Sequence, residues 1–473
     1  MRHSITNMLQ RLVLGVVAVL VVACDADREN ILKVYNWGDY IDEDLLTEFE
    51  EWYFEQTGEE VTIIYQTFDI NEVMLAKIEN GHADFDVVCP SEYIVERMMR
   101  GELLLPILTP EFEAEINAKG INYFDCVSPY IKHEFSLLTA PEGQDPNDYA
   151  VGYMWGTTGI LYNADYVSEE EASSWDLMFN PRLKDKIFVK DAFRDVYSPM
   201  LIYAKTLEAR EAGTLGEDEM LPLSTIEELM YDSSDESIAL VESYLKRTKE
   251  LVAGWEADFG KEMMTQEKAW INLMWSGDAV WAIEEAAEVG VNLAYTVPEE
   301  GSVVWFDGWV IPKYAKNERA ARYFIDYMCM PENAIRNMDA TGYVSVVTTE
   351  EVLEAVNSPE DWEETIDLSY LFVDGEGNPI EGSECAYVDP VLYPDRSVID
   401  RCGVMHDSGE RTDKMLEMWS RVKGDNLSTG MLVGIIIFFS VMLIWGIWRK
   451  YEAYRRKHYY VKRRHHRYSK NKK

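Results

Sequence analysis

The sequence predicts an α/β protein built from two successive α/β stretches. The first shows a strict strand–helix alternation. Leu32 to Asn36 reads as a strand, Asp42 to Thr57 as an amphipathic helix, Val61 to Tyr65 as a strand and Asn71 to Asn80 as a helix; Phe85 to Cys89 is a third strand, and Ser91 can cap a helix running to Arg100. Glycines stand just past each helix, at Gly58, Gly81 and Gly101. A βαβαβα order implies a largely parallel sheet with helices on both faces. The second observation is that strand-like runs resume at Trp155–Asn163, Ile187–Lys190 and Ala269–Trp275, with helices between 195 and 260. Leu293 to Pro298 and Trp305 to Ile311 read as strands returning to the first stretch, followed by a helix over Asn317–Met328.

The helix Asp42–Thr57 places Leu45, Leu46, Phe49 and Trp52 on one side. Glu208–Glu236 is acid-rich and Ser358–Asp400 is polar with turn signals, so both read as insertions. In the second, Asp374, Glu376 and Asn378 mimic the start of a calcium loop. Pro379 stands where that loop needs glycine, and Cys385 where it needs a bidentate glutamate, so calcium is excluded there.

Composition bounds the function. The 473 residues are 47% hydrophobic and 27% charged, which is globular. The formal charge is −41, but residues 449–473 carry twelve Lys/Arg against Glu452 alone, leaving about −52 on the remainder. Such an acidic body repels nucleic acid and attracts cations. Residues 1–24 combine Arg2 and Arg11 with an apolar run ending at Cys24, which is too short to span a bilayer and reads as a signal peptide. Residues 426–448 contain no charge and are long enough to span, with the basic tail beyond them expected in the cytoplasm and the acidic body outside. Five cysteines follow Cys24, an odd number without a CxxC; Cys385 and Cys402 are near enough in sequence to pair. The body's histidines, His82, His133 and His406, are scattered and suggest no metal site. There is no P-loop, dinucleotide fingerprint or nucleophile elbow, so no cofactor and no catalytic residue is expected.

What remains is a set of aromatic and acidic residues at strand ends. Trp37, Asp39 and Tyr40 lie in YNWGDYI between the first strand and first helix, where open α/β folds place ligand groups. Ser91 and Tyr93 end the third strand, Asp191 and Asp195 follow another, and Trp275 and Asp278 follow an apolar one. Trp305 and Asp307 share a strand otherwise apolar from Val303 to Ile311. Rings attract positive charge and cover methylenes, while carboxylates accept N–H bonds, so the combination suits an organic cation. A buried unpaired carboxylate is costly, so Asp278 and Asp307 require a cationic partner. A Lys or Arg from elsewhere in the chain could serve, but neither motif contains one, which favours a ligand in that role.

The order YNWGDYI, VVCPSEY, YMWGTTGILYN, SWDLMFNP, MWSGDAVWA, WFDGWVIP and TGYVS, spanning roughly Leu32 to Lys423, resembles the periplasmic spermidine/putrescine-binding proteins of ABC transporters. The resemblance implies a two-lobed, hinge-closing periplasmic-binding-protein fold of the type II kind. Lobe 1 would be 29–146 with a return at about 299–345, and lobe 2 would be 147–298 with a return at about 346–424. It implies a polyamine in the cleft held by Trp37, Asp39, Tyr40, Ser91, Tyr93, Asp195, Trp275, Asp278, Trp305, Asp307 and Tyr343. Asp278 resembles the putrescine-selective branch and Trp305 the spermidine branch. A polar position near the C-terminus falls around Met405 or His406. Cys24 resembles a lipobox cysteine, the site of lipidation. The expected partners are a polyamine, ABC permease subunits and the lipid bilayer. The expected place is the periplasmic face of the bacterial inner membrane, anchored through a helix at 426–448 and a lipid. A polyamine-sensing ectodomain acting on a membrane partner is the alternative function.

Overall fold

The computed structural model describes residues 28–424, except Asp258, together with Met442, Trp445, Arg449 and Lys450. The expected signal peptide, Cys24 and nearly all of the basic tail lie outside the described residues. The membrane-spanning helix expected over 426–448 requires correction: among the described residues no helix is long and apolar enough to cross a membrane. Most of that segment also lies outside them.

The first βαβαβ run forms as its periodicity predicts. β1 (Ile31–Trp37) lies between β2 (Thr62–Phe68) and β3 (Val87–Val88), parallel to both. The helix Asp44–Thr57 buries Leu45, Phe49 and Tyr53, four residues apart. The Asp42 carboxylate accepts the Asp44 N–H at 3.1 Å at its start. Gly58 ends it with φ 73°. Leu46 and Trp52 are only half-buried, because the stripe follows the 45–49–53 line.

After β4 (Leu104–Leu105) comes the fourteen-residue β5 (Ala150–Asn163), buried throughout. β6 (Ile187–Lys190), β7 (Val252–Glu256), β8 (Ile271–Trp275) and β9 (Leu293–Thr296) make the second stretch, and β10 (Ser302–Pro312) is again buried along its whole length. Among the described residues twelve strands form one sheet, with the main order β2-β1-β3-β10-β5-β8-β6-β7. The two outer groups are parallel, but the centre is not. β10 runs antiparallel to β3 and β5, and β5 runs antiparallel to β8. Local alternation sets the direction of strands joined by short crossovers, but not that of a strand arriving from far along the chain. For the same reason only β10 returns to the first stretch; β9 pairs antiparallel with Ile160–Asn163 at the far end of β5.

The two expected insertions supply core. Ile226 and Met230 of the helix Leu223–Met230 are buried, as are Leu368, Leu371, Phe372 and Tyr393 in the second. The five described cysteines are free thiols: Cys402 is buried while Cys385 is exposed, so the pairing considered for them does not form.

The fully buried Asp86 ties the first stretch together. Its Oδ2 accepts from Arg28 and from the Lys33 N–H, each at 2.8 Å, and its Oδ1 accepts the Lys316 and Asn317 N–H groups at 2.7 and 2.9 Å. Asp86→Ala leaves three backbone amides without their acceptor and takes from the partly buried Arg28 one of its two carboxylate partners, Asp84 being the other. It should lower stability by about 3–5 kcal/mol, read from urea unfolding with an unchanged m-value.

Candidate functional site

Asp307 projects from the middle of β10, where a carboxylate is buried. A bulge shapes this point: Asp307 pairs with Met154 and Gly308 with Gly152, so Tyr153 is the extra residue of β5. Tyr153 donates its hydroxyl to the Tyr40 carbonyl at 2.8 Å, and its ring meets Tyr40 edge-on at 5.5 Å. Tyr40 in turn donates to Asp307 Oδ2 at 2.9 Å, while Ser91 Oγ donates to Oδ1 at 2.7 Å. Two segments distant in sequence therefore converge on one carboxyl group of β10.

Among the described residues no Lys or Arg forms an ion pair with Asp307. Burial pushes its pKa up to about 7 against the two hydroxyl donors, and nearby Asp195 adds to the rise. Asp195 is also buried, accepts Trp275 Nε1–H at 2.9 Å, and titrates at about 6, raised by burial and held back by that indole. Two carboxyl groups thus sit poised near neutrality.

Aromatic rings connect the two sides. Tyr343 lies 5.1 Å from Tyr40 and 5.6 Å from Trp305, centroid to centroid. Both contacts depend on bare backbone. A Cβ at Gly156 would meet Trp305 Cζ2 at 2.6 Å, and one at Gly277 would meet the Tyr343 ring at 2.4 Å. The two glycines belong to the quoted motifs YMWGTTGILYN and MWSGDAVWA, and their role is to let those rings lie against the strands.

Asp278 differs from the expectation. It is buried, and its cationic partner is internal: Lys190 Nζ lies 2.7 Å from Oδ2 and Lys261 3.7 Å from Oδ1. Burial alone would raise its pKa, but these two charges overcome burial and hold it below the usual carboxylate range. Oδ1 also accepts the Tyr343 hydroxyl at 3.0 Å. The motif held no lysine because Lys190 arrives from the end of β6, 88 residues earlier.

The other expected residues make contacts of their own, and Asn71 Nδ2 links Tyr93 to Ser91. Tyr93 is covered by the Arg194 guanidinium, 4.4 Å from its ring centre, and accepts from Asn71 Nδ2 at 3.0 Å. Trp37 packs on Phe68, with ring centres 4.5 Å apart. Asp39 is exposed at φ 50°, a left-handed conformation. His406 stacks on Tyr231 at 3.8 Å and sits 3.3 Å from Glu96. Lys190, Arg194 and Glu92 were missed. Glu92 is buried and accepts the Phe306 N–H at 3.0 Å; burial, with Asp307 and Asp195 nearby, drives its pKa well up. The available signals were a lysine closing the apolar run IFVK and an arginine beside Asp195.

Residues 44–366 match the family model of bacterial extracellular solute-binding proteins. The chain belongs to this family. Membership places it among proteins that bind solutes rather than transform them. It is 26% identical over 331 residues to the spermidine/putrescine-binding periplasmic protein of Escherichia coli (strain K12), covering 70% of this chain and 81% of that one. To the putrescine-binding periplasmic protein PotF of the same organism it is 27% identical over 349 residues, covering 71% and 83%. The solved structure of a putative spermidine/putrescine ABC transporter from Listeria monocytogenes superposes with a TM-score of 0.61 at 27% identity, over 83% of this chain and 99% of that one. The two-lobed α/β fold of these solute-binding proteins is therefore that of the present chain.

The raised pKa of Asp307 has a consequence for stability. Unfolded, the carboxyl titrates near 3.8; folded, near 7. A folded value above the unfolded one means that its contribution is complete below pH 3.8 and is lost as pH rises through 7. Asp307→Asn should therefore melt at a higher temperature than the parent at pH 8, with the two converging near pH 4. Thermal unfolding across that range, without ligand, measures it.

Proposed function

We propose that the protein binds a linear polyamine outside the cytoplasm and delivers it to an ABC importer. The observation that carries this reading is Asp307: a buried carboxylate with two hydroxyl donors, no internal cation among the described residues, and Tyr40, Trp305 and Tyr343 around it. An ammonium group supplies the missing charge. The rings cover the adjoining methylenes and attract the cation by their quadrupoles. Asp195, on the Trp275 indole, is a second buried carboxylate without an ion pair among the described residues, its pKa raised overall by burial and lowered somewhat by the Lys190 charge. The names of the Escherichia coli relatives, which are spermidine/putrescine- and putrescine-binding proteins, support the ligand class. The periplasmic location in those names supports an extracytoplasmic site, as does the signal peptide expected to end at Cys24. No bond is made or broken. Affinity comes from desolvated ion pairs, cation–π contacts and methylene burial.

Calorimetry with putrescine, spermidine and spermine tests the class, with a sugar and an organic anion as controls. Binding of an anion and of no polyamine would end the reading. Asp307→Asn should weaken polyamine binding by about a hundredfold or more, the effect of breaking a buried pair costing about 3–5 kcal/mol.

Affinity should also fall with pH. The ligand amines, titrating near 10 as lysine does, stay charged throughout. Asp307 at about 7 and Asp195 at about 6 take up protons as pH falls and cease to be counter-ions. The dissociation constant should rise by about a hundredfold or more from pH 8 to pH 5. In buffers of differing ionisation enthalpy, binding near pH 7 should release protons.

A further inference from the structure

Lys190 is wholly buried. Its ammonium lies 2.7 Å from Asp278 and 3.4 Å from Glu256, donates to the Ala257 carbonyl at 3.1 Å, and sits 4.2 Å from the Trp275 ring centre. A carboxylate pair, an aromatic face and a carbonyl are what an ammonium ligand needs, and here the chain fills that place with its own ammonium. Burial would discharge a lysine, but the two carboxylates overcome it and hold the charge.

This occupied place adjoins the candidate site. Tyr343 gives its hydroxyl to Asp278 and its ring to Tyr40 and Trp305, and Trp275 carries Lys190 on its face and Asp195 on its indole nitrogen. The carboxyl groups along the cluster therefore fall into three kinds. Asp278 and Glu256 are neutralised by Lys190, and Glu72 faces Arg194 at 4.0 Å. Glu92 is engaged by a backbone amide and burial favours its protonated form. Asp307 and Asp195 form no ion pair among the described residues.

We propose that Lys190 is a specificity-determining residue, a built-in ammonium that closes the Asp278 subsite and limits the ligand to two positive charges. Two carboxylates remain for two ligand ammoniums, so a diamine matches the site. A third ammonium directed toward Asp278 meets Lys190 and is repelled. The inference rests on the polyamine reading and deepens it.

Lys190→Met removes the internal cation and keeps much of its apolar stem. Measured by calorimetry, the parent should prefer putrescine to spermidine, and the variant's spermidine-to-putrescine affinity ratio should rise by about tenfold or more, as for a gained buried charge pair. A second measurement needs no polyamine. Methylammonium chloride, against equal sodium chloride, should raise the melting temperature of Lys190→Met, or restore its folded yield if it does not fold alone. It should leave the parent indifferent and stabilise the double variant Lys190→Met/Asp278→Asn less than the single one, Glu256 alone remaining as counter-ion. A Lys190→Met protein that gains nothing from methylammonium over sodium, or whose affinity ratio equals that of the parent, overturns the proposal. A parent that binds no polyamine defeats the ligand class alone, since methylammonium rescue still reports on the Lys190 place.

Discussion

The site depends on one constraint: a carboxylate is held inside the sheet, at Asp307, by two hydroxyl groups and no cation among the described residues. A charge in that position is stable only when something supplies the opposite sign, and otherwise the group takes a proton. Its elevated pKa expresses this tension. The aromatic set packs around it, the bulge displaces Tyr153, and two glycines let Trp305 and Tyr343 lie close. Folding thus leaves an electrostatic demand that a cationic ligand meets.

The sheet's mixed direction makes the convergence possible. β5 and β10 run antiparallel through the centre, pairing with the first stretch at one end and with the second at the other. Asp307 on β10 therefore lies between Ser91, which follows β3, and the first turns of the helices after β6 and β8 that carry Asp195 and Asp278. A wholly parallel sheet would have directed every strand end to the same edge. Here the long central strands carry side chains from their middles into the junction.

The two acids that looked alike in sequence have opposite circumstances. Each breaks an apolar pattern with no basic residue close by in the chain. Asp307 keeps that isolation in three dimensions, whereas Asp278 is met by Lys190 at 2.7 Å. Broken patterning shows that a charge is buried and needs a partner. It does not show whether the partner is built in or arrives from outside, because side chains meet through space. Tyr93 also has a cation from far along the chain, since Arg194 lies over its ring.

Periodicity sufficed for the first βαβαβ run, because core burial imposes a period of two on strands and 3.6 on helices, and both are local. The order of seven aromatic and acidic motifs sufficed for the family, since each motif is a contiguous stretch. The helix over Asp44–Thr57 and the placement of Tyr40, Ser91 and Asp307 at strand ends and interiors were legible for these reasons. Strand direction at the centre, the strand to which β9 pairs, the core role of the supposed insertions and the counter-ion of Asp278 were decided by tertiary structure alone. Each depends on which distant segments share the same space, and a one-dimensional pattern holds no record of that until the chain closes on itself.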